Sequence, residues 1–237
     1  MSVWIRRLSF YMSLAALLVA MSTFVLRTRD PARFPLKVLE VGRAPEHCAE
    51  SEIQATAKPF LAQGFFALDV RALRDALEHL PWVKHVDVRR VWPDKVRLVV
   101  EEQVPQARWG DKGVLSTEGL IFYPAAQTIA ATLPTFVGPE DQAKEMLEKY
   151  LRLLSYLAPL GLSVQTLEFV TPNVWQVMLN NHMAIILGKS GFDESMNRFV
   201  LAYQNSLGAK HAQIARVDLR YSNGLAVAWK TGGSEKS

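Results

Sequence analysis

The chain has 237 residues, 49% hydrophobic and 21% charged, a balance that builds a packed core and excludes wholesale disorder. Its net charge of +4 is mild for this length, and its one cysteine, Cys48, excludes an intramolecular disulfide. The 211 residues after position 26 suit one or two domains.

The first organised stretch is Leu8–Leu26, LSFYMSLAALLVAMSTFVL, 19 residues without a charge, bounded by Arg6 and Arg7 and by Arg27, Arg29 and Asp30. At about 1.5 Å per residue, a helix of this length nearly matches a hydrocarbon core of roughly 30 Å. The run is longer than a signal-peptide core, and more apolar residues follow the small-x-small site Ala20-Met21-Ser22. The expectation is an uncleaved transmembrane helix over 8–26 with residues 1–7 as a cytoplasmic tail. Arg27, Arg29, Arg33 and Lys37 weigh against that orientation, but a large domain after a first apolar segment is normally translocated, so the body is placed outside the cytoplasm. Ser9, Ser13, Ala16, Ala20 and Thr23 share one helical face, on which a second membrane helix can pack.

Residues 27–35 carry Pro31 and Pro35 among charges and read as a linker. Leu36–Val41 reads as a strand closed by Gly42. Ser51 or its neighbouring acids start a helix through Ile53, Ala57 and Leu61 to Gly64, and Asp69 starts a second with Val70, Leu73, Leu77 and Leu80 on one face. Val83–Arg89 and Val96–Glu101 form a hairpin about the turn Trp92-Pro93-Asp94. The basic run Arg89–Arg97 alternates with apolar residues, as the solvated face of a hairpin does, so it does not mark a nucleic-acid site. The order β-α-α-β-β predicts a small α+β domain with both helices on one sheet face, over 36–104.

The pattern then changes. Val114-Leu115 and Leu120–Tyr123 read as short strands about Thr117-Glu118-Gly119, and Leu133-Pro134 and Gly138-Pro139 punctuate a loop. From Asp141, a helix shows Met146, Leu147, Tyr150, Leu151, Leu154 and Leu157 at helical spacing, ending near Pro159–Gly161. Strands follow at Gln165–Val170, Val174–Leu179 and Met183–Leu187, the last two joined by Asn180-Asn181-His182. A helix from Asp193 buries Met196, Phe199, Val200 and Tyr203. The chain closes with a hairpin, Ile214–Tyr221 and Leu225–Trp229, about Ser222-Asn223-Gly224, whose Asn-Gly is a strong hairpin signal. Residues 105–229 thus read as a mixed β-sheet domain with two helices and a terminal edge strand, and 230–237 as a loose polar tail.

Catalytic patterns are lacking. Five histidines (His47, His79, His85, His182, His211) have no helical zinc spacing, and Cys48 has no second cysteine. Leu187–Gly191 carries Gly-Lys-Ser, but Met183 stands where a phosphate-binding loop needs its first glycine, and neither GxGxxG nor GxSxG occurs. No catalytic, cofactor-binding or metal residues are assigned, no cofactor is expected, and the expected role is binding.

The β-α-α-β-β order with Val41-Gly42, Leu80-Pro81-Trp82-Val83 and Trp92-Pro93-Asp94 resembles a POTRA domain, a module of bacterial envelope proteins. Val104–Trp109, Glu118-Gly119, Trp175, Asn180-Asn181 and above all Val217-Asp218-Leu219-Arg220-Tyr221 through Trp229 resemble the FtsQ/DivIB family of cell-division proteins over roughly residues 8–229. The resemblance implies a non-enzymatic division scaffold in the inner membrane, with its body in the periplasm and concentrated at the septum. It implies partners of the FtsB/FtsL type, an FtsK-like upstream recruiter and the septal synthase complex (FtsW/FtsI-like). Carried over residue by residue, the FtsB-like site is Arg220, Tyr221, Ser222, Asn223, Gly224 and Trp229, where the family accepts an added strand. Gly224 is expected to adopt positive φ in the turn. A recruitment surface of Val70, His85, Val88 and Arg90 is likewise implied. One departure is Asn173-Val174, where some relatives have a basic residue shortly before the position of Trp175. The alternative is a POTRA-bearing secretion or envelope-assembly component, for which tandem POTRA domains or a β-barrel are expected.

Overall fold

The computed structural model describes residues 2–28, 34–36, 38–42, 45–172, 174–188 and 191–230. It divides into two compact units, 1–103 and 104–237. The first unit begins with α1 (Ser2–Thr28), a continuous helix. The stretch expected to span a membrane lies within it, but its side chains are described only as far as Thr23, and among the described residues no helix is long and apolar enough to cross a membrane.

The rest of the first unit is β1 (Val38–Val41), α2 (Glu50–Leu61), α3 (Val70–Glu78), β2 (Val83–Val91) and β3 (Lys95–Glu102). The sheet order is β1-β3-β2, with β1 parallel to β3 and β2 antiparallel to it. Asp69 caps α3 by accepting from the N–H groups of Arg71 and Ala72 at 3.0 and 3.1 Å, satisfying two of the donors a helix start leaves free. For α2 the cap position is Ala49 rather than Ser51, without a side-chain bond, and Glu50 and Glu52 in the first turn supply the negative charge the helix dipole favours. Ile53 and Ala57 from α2, Leu73 and Leu77 from α3, and Val86, Val88, Val96 and Leu98 from the sheet are buried, so one helical stripe and one pleat face make the core.

The Glu102 carboxylate accepts from three successive backbone donors, those of Glu46, His47 and Cys48, at 2.9, 3.0 and 2.7 Å. Burial works to raise its pKa, yet these donors hold it below the ordinary carboxylate value. Burial also pushes the Cys48 thiol up to about 11, leaving it protonated and inert near neutrality.

The second unit carries β4 (Pro105–Trp109), β5 (Gly113–Ser116), β6 (Ile121–Phe122), β7 (Thr135–Val137), α4 (Ala143–Leu157), β8 (Val164–Thr171), β9 (Val174–Leu179), β10 (Ala184–Gly188), α5 (Phe192–Ala202), β11 (Ile214–Asp218) and β12 (Ala226–Trp229). These strands form one mixed sheet in the order β12-β11-β10-β9-β8-β7-β4-β5-β6. The core gathers Met146, Leu153 and Leu157 of α4 and Met196 and Phe199 of α5 with Leu167, Trp175, Val177, Ile185 and Val217 of the sheet. The α4 stripe is rotated from the expected one: Leu153 is buried, and Leu151 faces solvent. Strand β7 falls inside the expected loop. It pairs in parallel with both β4 and β8, and Phe136 at its centre is fully buried.

Candidate partner-binding edge

Strand β11 lies parallel to β10, with Ile185 beside Val217, and its buried Ile214 and Val217 fix its inner face. Strand β12 runs antiparallel to β11, pairing Asp218 with Ala226, Val217 with Val227 and Ile214 with Trp229, with a register irregularity between Ile214 and Arg216. Leu225 and Val227 lean on the core, which sets which face of β12 points inward. Among the described residues, β12 has no strand neighbour on its other side. That edge presents backbone donors and acceptors for a further strand.

The connection from Leu219 to Leu225 is tied down at its start. Leu219 donates its N–H to the Ile186 carbonyl at 2.8 Å, and its own carbonyl accepts from the Ser195 hydroxyl at 3.2 Å. Asp218, which is buried, accepts from the Arg220 side chain through Nε at 2.9 Å and Nη2 at 2.6 Å, and from the Arg220 backbone N–H at 3.1 Å. These hydrogen bonds hold the Asp218 carboxyl below the usual carboxylate range, against a burial that acts to raise it. From α5, Arg198 Nη2 donates to the Ser195 hydroxyl at 3.0 Å and to the Tyr221 carbonyl at 2.9 Å. Past this anchored start, Tyr221, Ser222 and Asn223 are exposed.

Arg220–Gly224 therefore sit together in the connection, while Trp229 stands at the far end of β12, about 10 Å along the strand from Ala226 at roughly 3.4 Å per residue. The six expected residues bracket an edge rather than form one cluster. Tyr221 is 56% exposed and Trp229 49%, so two large amphipathic rings flank the open ladder. Two local expectations need correcting. The strands stop at Asp218 and restart at Ala226, so the connection is longer than a tight Asn-Gly hairpin, because the Asp218–Arg220 pair and the Leu219–Ile186 bond draw the chain toward β10. Gly224 is not in the left-handed region, and a Cβ built there meets nothing within 4 Å.

Asp218, Ser195 and Arg198 were not expected. Asp218 could have been found, since a D-x-R spacing on an extended chain puts both side chains on one face. Arg198 could not, since its bond to Tyr221 joins residues 23 apart in sequence. Asn173 lies outside the described residues.

Of the four residues of the expected recruitment surface, one is not at the surface. Val88 is 5% exposed and belongs to the core, because the pleat that buries Val86 also buries it. His85 approaches Glu78 at the end of α3, with Nδ1–Oε1 at 2.7 Å. Arg90 reaches the Phe65 carbonyl, near the start of α3 where the half-buried Val70 lies.

Lys189 and Ser190 lie outside the described residues. Among the described residues, no three His, Cys, Asp or Glu side chains converge as a metal site. The chemistry assembled at the β12 end of the sheet is backbone hydrogen bonding framed by two aromatic rings and an ion pair.

Comparison with known proteins adds an independent line. The family model for the C-terminal part of cell division protein FtsQ/DivIB matches residues 107–220, and that for the FtsQ-type POTRA domain matches residues 34–103. "Cell division protein FtsQ" of Coxiella burnetii is 34% identical over 212 residues, covering 90% of this chain and 87% of the relative. Its namesake in Methylomonas methanica is 34% identical over 208 residues, covering 86% and 82%. That of Burkholderia pseudomallei is 31% identical over 223 residues, covering 92% and 88%.

Proposed function

This chain belongs to the FtsQ/DivIB family of cell division proteins, and from that premise we propose that it is a non-enzymatic, single-pass scaffold of the division complex that receives an added strand from an FtsB-like partner along β12. The observation that carries the binding reading is an unprotected four-residue edge strand flanked by half-exposed Tyr221 and Trp229. Tyr, Trp and Arg are the side-chain types that dominate interface energetics, and an open ladder supplies main-chain hydrogen bonds to any partner strand in register. Arg220, pinned by Asp218, is pre-organised, which lowers the ordering cost of engagement.

In this reading Leu8–Leu26 crosses the inner membrane, residues 1–7 stay in the cytoplasm, and the POTRA domain (36–104) and C-terminal domain (105–229) lie in the periplasm at the septum. FtsB and FtsL-like proteins anchored in the same membrane meet β12 at high effective concentration. An FtsK-like recruiter engages the POTRA domain around Val70, His85 and Arg90, with Val88 supporting that surface from beneath. The septal synthase (FtsW/FtsI-like) is reached through the partners.

The test is co-purification of the full chain, in detergent, with an FtsB-like partner. Tyr221→Ala and Trp229→Ala should each abolish capture with thermal stability nearly intact. Capture at the unsubstituted level by both variants overturns the site. A fluorescent fusion should give midcell bands; a uniform envelope signal points to the alternative, a secretion or assembly component.

A further inference from the structure

Three segments converge at one end of the β1-β3-β2 sheet. The parallel register places Val38, the first residue of β1, beside Lys95, the first residue of β3, so the chain enters the domain next to the Trp92-Pro93-Asp94 turn. The Phe65 N–H donates to the Phe34 carbonyl at 2.9 Å, and the Phe34 and Phe66 rings meet edge to face at 4.9 Å, which brings the α2–α3 connection to the same entry point. Arg90 Nη1 donates to the Phe65 carbonyl, tying that connection to the hairpin.

This end is aromatic and basic at its surface. Trp92 is 74% exposed, more than any other described tryptophan outside α1, and Phe66 is 45% exposed. Lys95 and Arg97 share the carboxylate of Glu40, Arg89 pairs with Asp87, and Arg90 donates to the Phe65 carbonyl, so these four basic groups outnumber the three acids Glu40, Asp87 and Asp94. A tryptophan at a hairpin tip, with a second aromatic and cations beside it, is the composition that settles in the headgroup layer of a bilayer.

Chain length supplies the occupant. Six residue steps separate Thr28, the last of α1, from Phe34, and an extended chain covers at most roughly 20 Å in that span. If α1 crosses a membrane, this end of the domain is leashed within reach of the headgroups, whatever path the connection takes. We propose that the Trp92 hairpin tip and Phe66 form a membrane-docking face that rests on the anionic phospholipid surface around α1. The inference rests on the spanning role of α1. Docking orients the domain relative to the membrane, and the ion pairs with Glu40 and Asp87 hold Lys95, Arg97 and Arg89 in place to meet phosphate groups.

The experiment uses the full chain in nanodiscs containing doxyl-labelled lipid, with single cysteines introduced by Asp94→Cys, His79→Cys and Leu14→Cys and labelled with a fluorophore, Trp92 being kept in each. The buried, protonated Cys48 stays unlabelled at neutral pH. His79 is exposed at the opposite end of the domain, where α3 ends and β2 has yet to begin. Quenching at position 94 should exceed that at 79 at least about twofold, and should be larger in phosphatidylglycerol-containing than in pure phosphatidylcholine discs. In the anionic discs, Arg89→Glu with Arg90→Glu should lower it toward the level at 79. Equal quenching at 94 and 79, with strong quenching at 14, overturns the docking face and leaves the spanning reading standing. No quenching at position 14 overturns the spanning reading, and the docking face with it.

Discussion

The nine-stranded sheet has two open edges, and they are finished differently. At one end, β6 is only two residues long, Ile121 and Phe122 are half-buried, and the buried Pro124, which has no N–H, follows. Tyr123, between them, donates its hydroxyl to Glu140 and is thereby occupied. Short strands and prolines are how proteins stop sheet edges from recruiting other chains. At the other end, β12 offers four residues without a proline, while the exposure of Tyr221 and Trp229 beside it matches that of Tyr123. The proposed strand addition rests on this contrast between a two-residue edge strand and a four-residue one.

Breaking this contrast should have its largest effect on binding. Trp229→Ala and Tyr221→Ala should each weaken capture of an FtsB-like periplasmic segment by about 30-fold or more, as loss of an interface anchor does. Tyr123→Ala at the protected edge should leave the affinity unchanged in the same biosensor assay. Equal losses at both edges would erase the distinction.

A smaller effect is expected from the support beneath the edge. Asp218→Asn removes the charge that orders Arg220 and should lower the calorimetric melting temperature by about 3 °C. Binding should weaken as well, since Arg220 is no longer held.

Acid sharpens the same point. The Asp218 carboxyl has a folded-state pKa below its unfolded value, so its contribution is present above the unfolded value, near 4, and is lost as pH falls through the folded one. In urea titrations, the stability gap between the unsubstituted chain and Asp218→Asn should stay constant from pH 7 to about pH 5 and narrow below about pH 4. A gap that persists undiminished at pH 2 would show that the pair does not act through charge.

The smallest effect belongs to Gly224→Ala. Because the position has no positive φ and a Cβ meets no atom, the melting temperature should stay within about 1 °C of the unsubstituted chain. Any loss of binding by this variant then reports close approach of a partner backbone rather than damage to the fold.

Much of the fold was readable where local physics is strong. Asp69 ahead of a run with Leu73 and Leu77 at i, i+4 spacing marks a capped amphipathic helix, and the structure has it. The β-α-α-β-β order and a mixed sheet carrying two helices also appear as expected. Strand β7 was not readable, because three residues are too few for a period and its stability comes from two parallel neighbours distant in sequence. The helical stripe of α4 fits either Leu151 or Leu153, and only the sheet it covers decides. Val88 looked like a surface residue until the pleat placed it beside Val86.

For the proposed site, the sequence by itself determined the residue types: a D-x-R-Y run, an Asn-Gly and a closing tryptophan near the end of the chain. These are local facts, written in composition and spacing. The tertiary structure decided that the last strand lies at the border of a nine-stranded sheet, that Asp218 and Arg198 brace the connection beside it, and that Gly224 needs no special conformation. Strand order depends on pairings between residues far apart in the chain, and no local pattern encodes which edge is left without a neighbour.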